Sequence, residues 1–184
     1  SIELRQHCRD HTPMYYFAYG SNMCTARLAR RVPSVRPLGA ATLAGHRLAW
    51  HLIGADDSGK CNIVATDTPG ALVHGVVFEL DADRLEALHA AEGPAYDFLE
   101  LPIEHAGETL TAAVYRGRAE WLDDRRVPFD WYRDFVLDGA RAHGLPAEWI
   151  EWLNAVATQA DPDRQRARAN REILNETPAN VTAP

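Results

Sequence analysis

Met14-Tyr-Tyr-Phe-Ala-Tyr-Gly-Ser-Asn-Met23 is the stretch on which the reading of this chain turns. Its first six residues are aromatic or apolar and uncharged, and they predict a buried strand over Met14–Tyr19. Gly20-Ser21-Asn22 interrupts the run. Either Ser21 or Asn22 can cap a helix from Met23 to Val32, which Pro33 and Pro37 end. A strand that stops at a glycine and opens a helix leaves backbone N–H groups without intrahelical partners, and such a turn suits a carboxylate or a developing oxyanion. Taken alone, the same residues fit a plain strand-to-helix turn with a polar cap somewhat better.

Downstream, a long strand is expected from Ala40 to Ile53, then a loop at Asp56–Gly59, a short strand at Cys61–Thr66 and a turn at Thr68-Pro-Gly70. Ala71–Leu80 reads as a strong strand. Asp81 is placed to cap a helix over Ala82–Glu92 that Gly93-Pro94 stops. Two more strands, Phe98–Glu104 and Thr109–Arg116, flank a turn at Ala106-Gly107. Helices follow at Phe129–His143, ended by Gly144, and from Pro146 to Ala157. Strands in the first two thirds and helices in the last third argue for an α+β fold, a small sheet or barrel packed by helices. The expected organisation is a polar leader (1–13), one domain (14–160) and a polar, Arg-rich C-terminal surface helix and tail (161–184), with no internal repeat.

Glu92 is the most informative single residue. It lies four residues beyond Leu88, on the apolar face that Leu85 and Leu88 begin. A carboxylate on that face, in a last helical turn where the macrodipole is negative, is disfavoured in its ionised form, so its pKa is expected to rise. A Glu tuned in that direction suits proton shuttling. By position alone, a carboxylate fraying to solvent at a helix end is the preferred reading.

The formal charge of −7 argues against nucleic acid or anionic membrane as a partner, since both call for a dense basic surface. The basic run Arg27-Leu-Ala-Arg30-Arg31 reads as a solvated helix face. No stretch approaches the ~20 apolar residues of a membrane span, and no charged-then-apolar leader opens the sequence. Cys8, Cys24 and Cys61 show no pairing logic, which points to a reducing, cytoplasmic setting. Cys24 and Cys61 read as buried small hydrophobes rather than nucleophiles served by His51, His74 or His89. His7, Cys8 and His11 are close together but lack a fourth ligand, so no metal is expected. The sequons at Asn175 and Asn180 read as chance matches without a secretory signal.

Four segments together resemble the γ-glutamylcyclotransferase family. They are Tyr16-Phe-Ala-Tyr-Gly-Ser-Asn-Met23, Gly75-Val-Val-Phe-Glu-Leu80, Leu88-His-Ala-Ala-Glu-Gly93 and Gly139-Ala-Arg-Ala-His-Gly-Leu-Pro-Ala-Glu-Trp149. They fall in the family's order across Met14–Ala157. The resemblance implies a small mixed β-barrel flanked by helices. It implies an enzyme of lyase or acyltransferase type, with no metal and no cofactor, that converts a small-molecule γ-glutamyl substrate into 5-oxoproline and a free amine. Glu92 matches the family's acid/base residue, and Tyr19, Gly20, Ser21 and Asn22 match the loop that receives the substrate. Tyr115 and Tyr132 match tyrosines that line the pocket. Family members often place a pocket tyrosine further from the glutamate; here Tyr96 follows by four residues in a short Gly-Pro-Ala-Tyr loop, so Tyr96 substitutes or that wall is rebuilt. Simple γ-glutamyl amino acids or amines rank above glutathione as substrates, because glutathione-specific relatives carry a differently worded Tyr-Gly-Ser motif. An antibiotic-pathway intermediate is a further alternative, as is a non-catalytic protein that binds γ-glutamyl ligands. Exposed aromatics among Trp121, Trp131, Trp149 and Trp152 leave room for a homodimer surface.

Overall fold

Seven strands and five α-helices form the described part of the chain, residues 13–176, in a computed structural model. The strands are β1 (Pro13–Ala18), β2 (Arg36–Ala44), β3 (His46–Ile53), β4 (Gly59–Ala65), β5 (Leu72–Asp81), β6 (Tyr96–His105) and β7 (Glu108–Gly117). The helices are α1 (Thr25–Arg31), α2 (Leu85–Glu92), α3 (Asp130–Ala142), α4 (Ala147–Asn154) and α5 (Arg164–Leu174). Five strands close a barrel in the order β1-β5-β2-β6-β7. Its pairs are antiparallel except at the closure, where Tyr16 of β1 lies parallel to Ala113 of β7. Closure removes open sheet edges, and the α+β barrel with flanking helices expected from the sequence is present.

The aromatic opening strand sits in the centre of this core. Phe17 is fully buried, and Tyr16 stacks on Phe78 of β5 with ring centroids 6.4 Å apart. Met23, Leu28, Leu88 and Phe135 fill the space between barrel and helices. Gly139 of α3 lies directly on the turn that follows β1, where a Cβ would stand 2.4 Å from the backbone carbon of Met23. That approach places helix and turn against each other more closely than any side chain allows.

Several expectations need correction. The stretch Ala40–Ile53 is not one strand: Gly45, at φ 69°, breaks it into β2, in the barrel, and β3, which pairs with β4 in a separate two-stranded sheet. Residue patterning hides this break, because both halves have strand-like composition. Ser21 and Asn22 do not cap a helix. They lie in a 3₁₀ turn, Ser21–Met23, and α1 starts only at Thr25 with Cys24 at its N-cap. Asp81 closes β5, and a 3₁₀ turn, Ala82–Arg84, separates it from α2.

The C-terminal surface helix is present and is anchored at its start. Asp163 caps it by accepting from the amides of Gln165 and Arg166, and Ala167 is buried. Asp161 is buried as well; it accepts from Trp131 Nε1 (2.8 Å) and from both arms of Arg166 (2.6 and 2.8 Å), which hold its carboxyl down at about 2. Of the four tryptophans named above, only Trp152 is exposed, while Trp131 is buried. The leader expected over 1–13, with His7, Cys8 and His11, lies outside the described residues except for Pro13, as does the tail beyond 176.

Candidate active site

Glu92 ends α2, and Gly93 at φ 77° turns the chain away behind it. The carboxylate is half-buried rather than frayed. Its Oε1 accepts from Tyr16 Oη at 2.7 Å and from Asn22 Nδ2 at 2.8 Å. Asn22 Nδ2 also reaches Tyr16 Oη at 3.1 Å, so the three groups form a closed triangle. Arg31 Nη1 donates to Asn22 Oδ1 at 3.3 Å, which turns the amide so that its NH₂ faces the carboxylate. Burial raises the Glu92 pKa; Tyr16, Arg31 and Asn22 pull back against that rise without cancelling it. The carboxyl is therefore held above the ordinary Glu range. Burial first, and then the charge of Glu92, keep Tyr16 protonated and donating.

A cavity of about 650 Å³ opens beside this triangle. Every residue expected at the site lines it: Tyr19, Gly20, Ser21 and Asn22 from the first turn, Tyr96 and Tyr115 from the barrel, Tyr132 from α3, and Glu92. The four tyrosines other than Tyr16 are tied to the protein. Tyr19 Oη donates to the Tyr115 carbonyl, and Tyr115 Oη meets His89 Nδ1 at 2.7 Å. Tyr96 Oη donates to the Cys61 carbonyl (2.9 Å), while Tyr132 Oη accepts from the Cys61 amide (3.0 Å). Two hydroxyls thus clamp the backbone of one residue of β4 and fasten the small sheet to the barrel and to α3. Gly20 faces the same point: a Cβ there would lie 3.0 Å from Cys61 Cβ and 3.3 Å from Tyr132 Oη.

Tyr96 is not in a loop. It is the first residue of β6, paired with Gly117, and its ring stands edge-on to Tyr115 at 6.5 Å. The short connection after Glu92 thus delivers this tyrosine to the pocket wall from the strand itself. Burial pushes both Cys24 and Cys61 thiols up to about 12, the direction opposite to nucleophile activation.

Residues overlooked in the sequence also line the cavity. Tyr16 is the nearest to the chemistry, and the alternation of β1 could have found it as an inward-facing hydroxyl. Arg27, Arg31, Lys60 and Arg166 supply four cations against two carboxylates, Glu92 and Asp56. In a chain of net charge −7, this local excess favours an anionic ligand. Arg27 in particular does not lie on a solvated helix face: it is buried, with its guanidinium 4.5 Å from the Phe135 ring centroid.

Residues 16–134 match the family model described as gamma-glutamyl cyclotransferase, AIG2-like. The chain is 28% identical over 174 residues to a gamma-glutamylcyclotransferase of Bos taurus, covering 90% of this chain and 88% of the relative. It is 28% identical over 175 residues to one of Homo sapiens, covering 89% and 87%. A solved gamma-glutamyl cyclotransferase structure superposes with a TM-score of 0.77 at 24% identity, over 87% of this chain and 99% of that one.

Proposed function

The chain belongs to the gamma-glutamyl cyclotransferase, AIG2-like family, and from that premise we propose that it cyclises a γ-glutamyl amino acid or amine to 5-oxoproline, with Glu92 as its acid/base. The observation that carries the reading is the Glu92 carboxylate, held above the ordinary Glu range beside a large cavity and fixed by Tyr16 and Asn22.

At neutral pH the α-nitrogen of such a substrate is an ammonium and cannot attack. Ionised Glu92 takes one of its protons. The amine attacks the substrate's own γ-carbonyl carbon, a C–N bond forms, and the carbonyl oxygen becomes an oxyanion. Amides at the start of the Ser21–Met23 turn, which lack intrahelical partners, are placed to receive that charge. Glu92 returns its proton to the leaving nitrogen as the old C–N bond breaks and the carbonyl re-forms. The surplus proton of the ring nitrogen follows the same path, and the amine leaves as an ammonium. Folding the substrate chain into a five-membered ring is an orientational task, and the tyrosine walls suit it.

The test is to incubate the protein with γ-glutamyl amino acids, γ-glutamyl-lysine isomers and glutathione and to quantify 5-oxoproline. Product from one class names the leaving group. No product from any of them, with ligand-induced thermal stabilisation retained, would replace this reading with that of a binding protein.

A pH profile follows from the hydrogen bonds. The base must be ionised, so kcat/KM is expected to fall on the acid side through a pKa above the ordinary Glu value. Tyr16→Phe removes the strongest counterweight to burial, so that limb is expected to move to higher pH, with kcat reduced by about 10-fold or more. An unmoved limb would show that Tyr16 does not tune the base.

A further inference from the structure

Of the four cations in the cavity wall, two already have carboxylate partners. Lys60 Nζ lies 2.7 Å from Asp56 Oδ2, and Arg166 is bound to Asp161. Arg27 and Arg31 have none among the described residues: Arg27 Nε donates to Ser21 Oγ (3.2 Å), Arg27 Nη1 to Asn170 Oδ1 (3.0 Å), and Arg31 Nη1 to Asn22 Oδ1. The partners of both arginines are neutral, and the remaining donors of each fork have no protein acceptor among the described residues.

A buried cation with no carboxylate at ion-pair distance is costly. Burial, and next to it the like charge of Arg31, work against the Arg27 guanidinium, and the charge of Glu92 offsets them only in part. The two residues stand four apart on α1, on one helical face, and both line the cavity. Each also grips a residue of the turn next to the acid/base centre: Arg27 holds Ser21, and Arg31 holds the Asn22 that binds Glu92.

We propose that Arg27, assisted by Arg31, is the carboxylate-recognising pole of this cavity, and that α5 sets its aim through Asn170. The inference rests on the proposed function for its ligand, the α-carboxylate of a γ-glutamyl group or of 5-oxoproline. That carboxylate is attached to the carbon that bears the reacting nitrogen, so wherever Glu92 serves the amine, the carboxylate falls beside it. The cations without an ion-pair partner among the described residues are the ones tethered to that spot, whereas Lys60 and Arg166 are paired. Asn170 lies beyond residues 16–134, so on this reading α5, outside the family match, contributes to substrate recognition.

The experiment compares binding of 5-oxoproline with binding of its α-carboxamide, by calorimetry or thermal shift, in wild type, Arg27→Gln, Arg27→Lys and Asn170→Ala. Wild type is expected to prefer the carboxylate. In Arg27→Gln that preference is expected to shrink by about 30-fold or more, through loss of the carboxylate ligand and not of the amide. Arg27→Lys keeps the charge without the fork and is expected to fall between the two, and Asn170→Ala to lose several-fold. If Arg27→Gln does not fold, Asn170→Ala and Arg27→Lys decide. Equal preference in wild type and in the folded variants overturns the inference, and so does a wild type that binds neither ligand. Turnover on the γ-glutamyl panel is scored separately. Wild type that binds 5-oxoproline through Arg27 but forms none would overturn the proposed reaction and leave the carboxylate pole standing.

Discussion

Glu92→Gln is expected to give a folded protein whose 5-oxoproline formation is lower by about 10³-fold. Glutamine keeps the acceptor oxygen that Tyr16 and Asn22 bind, so the triangle survives while the proton carrier is lost. Stability should move the other way. The folded pKa of Glu92 is raised, so the folded state holds this proton more tightly than the unfolded chain. The cost is absent below the ordinary Glu pKa, grows as pH rises towards the folded value, and is complete at neutral pH. The variant removes it, so at pH 7 it should melt at the same temperature as wild type or higher, and at acid pH the two should converge. Progress curves with thermal unfolding at several pH values check both halves. A variant that keeps most of its turnover would overturn the assignment of the base.

Gly139→Ala is expected to have a large structural effect. Its Cβ would stand 2.4 Å from the carbon and Cβ of Met23 and 2.7 Å from the amide nitrogen of Cys24. Most of these are backbone atoms that no rotamer change can move. α3 must therefore back away from the turn, at a cost of about 3 kcal/mol. The turn carries Ser21 and Asn22, so the donor to Glu92 shifts with it. Denaturant unfolding should show the lost stability, and turnover measured well below the unfolding transition should also fall. Unchanged values of both would mean that helix and turn are more loosely packed than described.

How far the sequence discloses this site depends on the range of the interaction. Glu92 was legible because its relation to Leu88 is local: one helical turn puts both on the same face, and Gly93 ends the helix at once. Tyr19–Asn22 is legible as a turn, but the capping role its Ser21 and Asn22 suggest is absent. Their partners, Arg27 and Glu92, come from other elements that no local rule anticipates. Arg27 and Arg31 look solvated because seven residues of helix do not reveal that Phe135 of α3 and Asn170 of α5 meet Arg27, or that Arg31 reaches Asn22. The Ala40–Ile53 stretch was read as one strand for a related reason. Strand propensity is continuous through it, and only the conformation of Gly45 separates two sheets. Tyr16 is hidden by the opposite problem: in an aromatic run, a hydroxyl that binds Glu92 looks like another core ring.

The division of the strands has a consequence for how such a pocket can diversify. The barrel carries Tyr16, Tyr96 and Tyr115, whereas the β3–β4 hairpin carries Lys60 and Cys61 on a hydrogen-bond ladder of its own. The tip of that hairpin, at Gly54, Ala55 and Asp56, reaches the cavity. Residues added or removed there reshape one wall without slipping any register in the barrel. On the proposed reaction, a lineage could exchange leaving groups at the hairpin while the Tyr16–Asn22–Glu92 triangle is inherited intact, and the hairpin tip is where a designer seeking a new substrate range would begin.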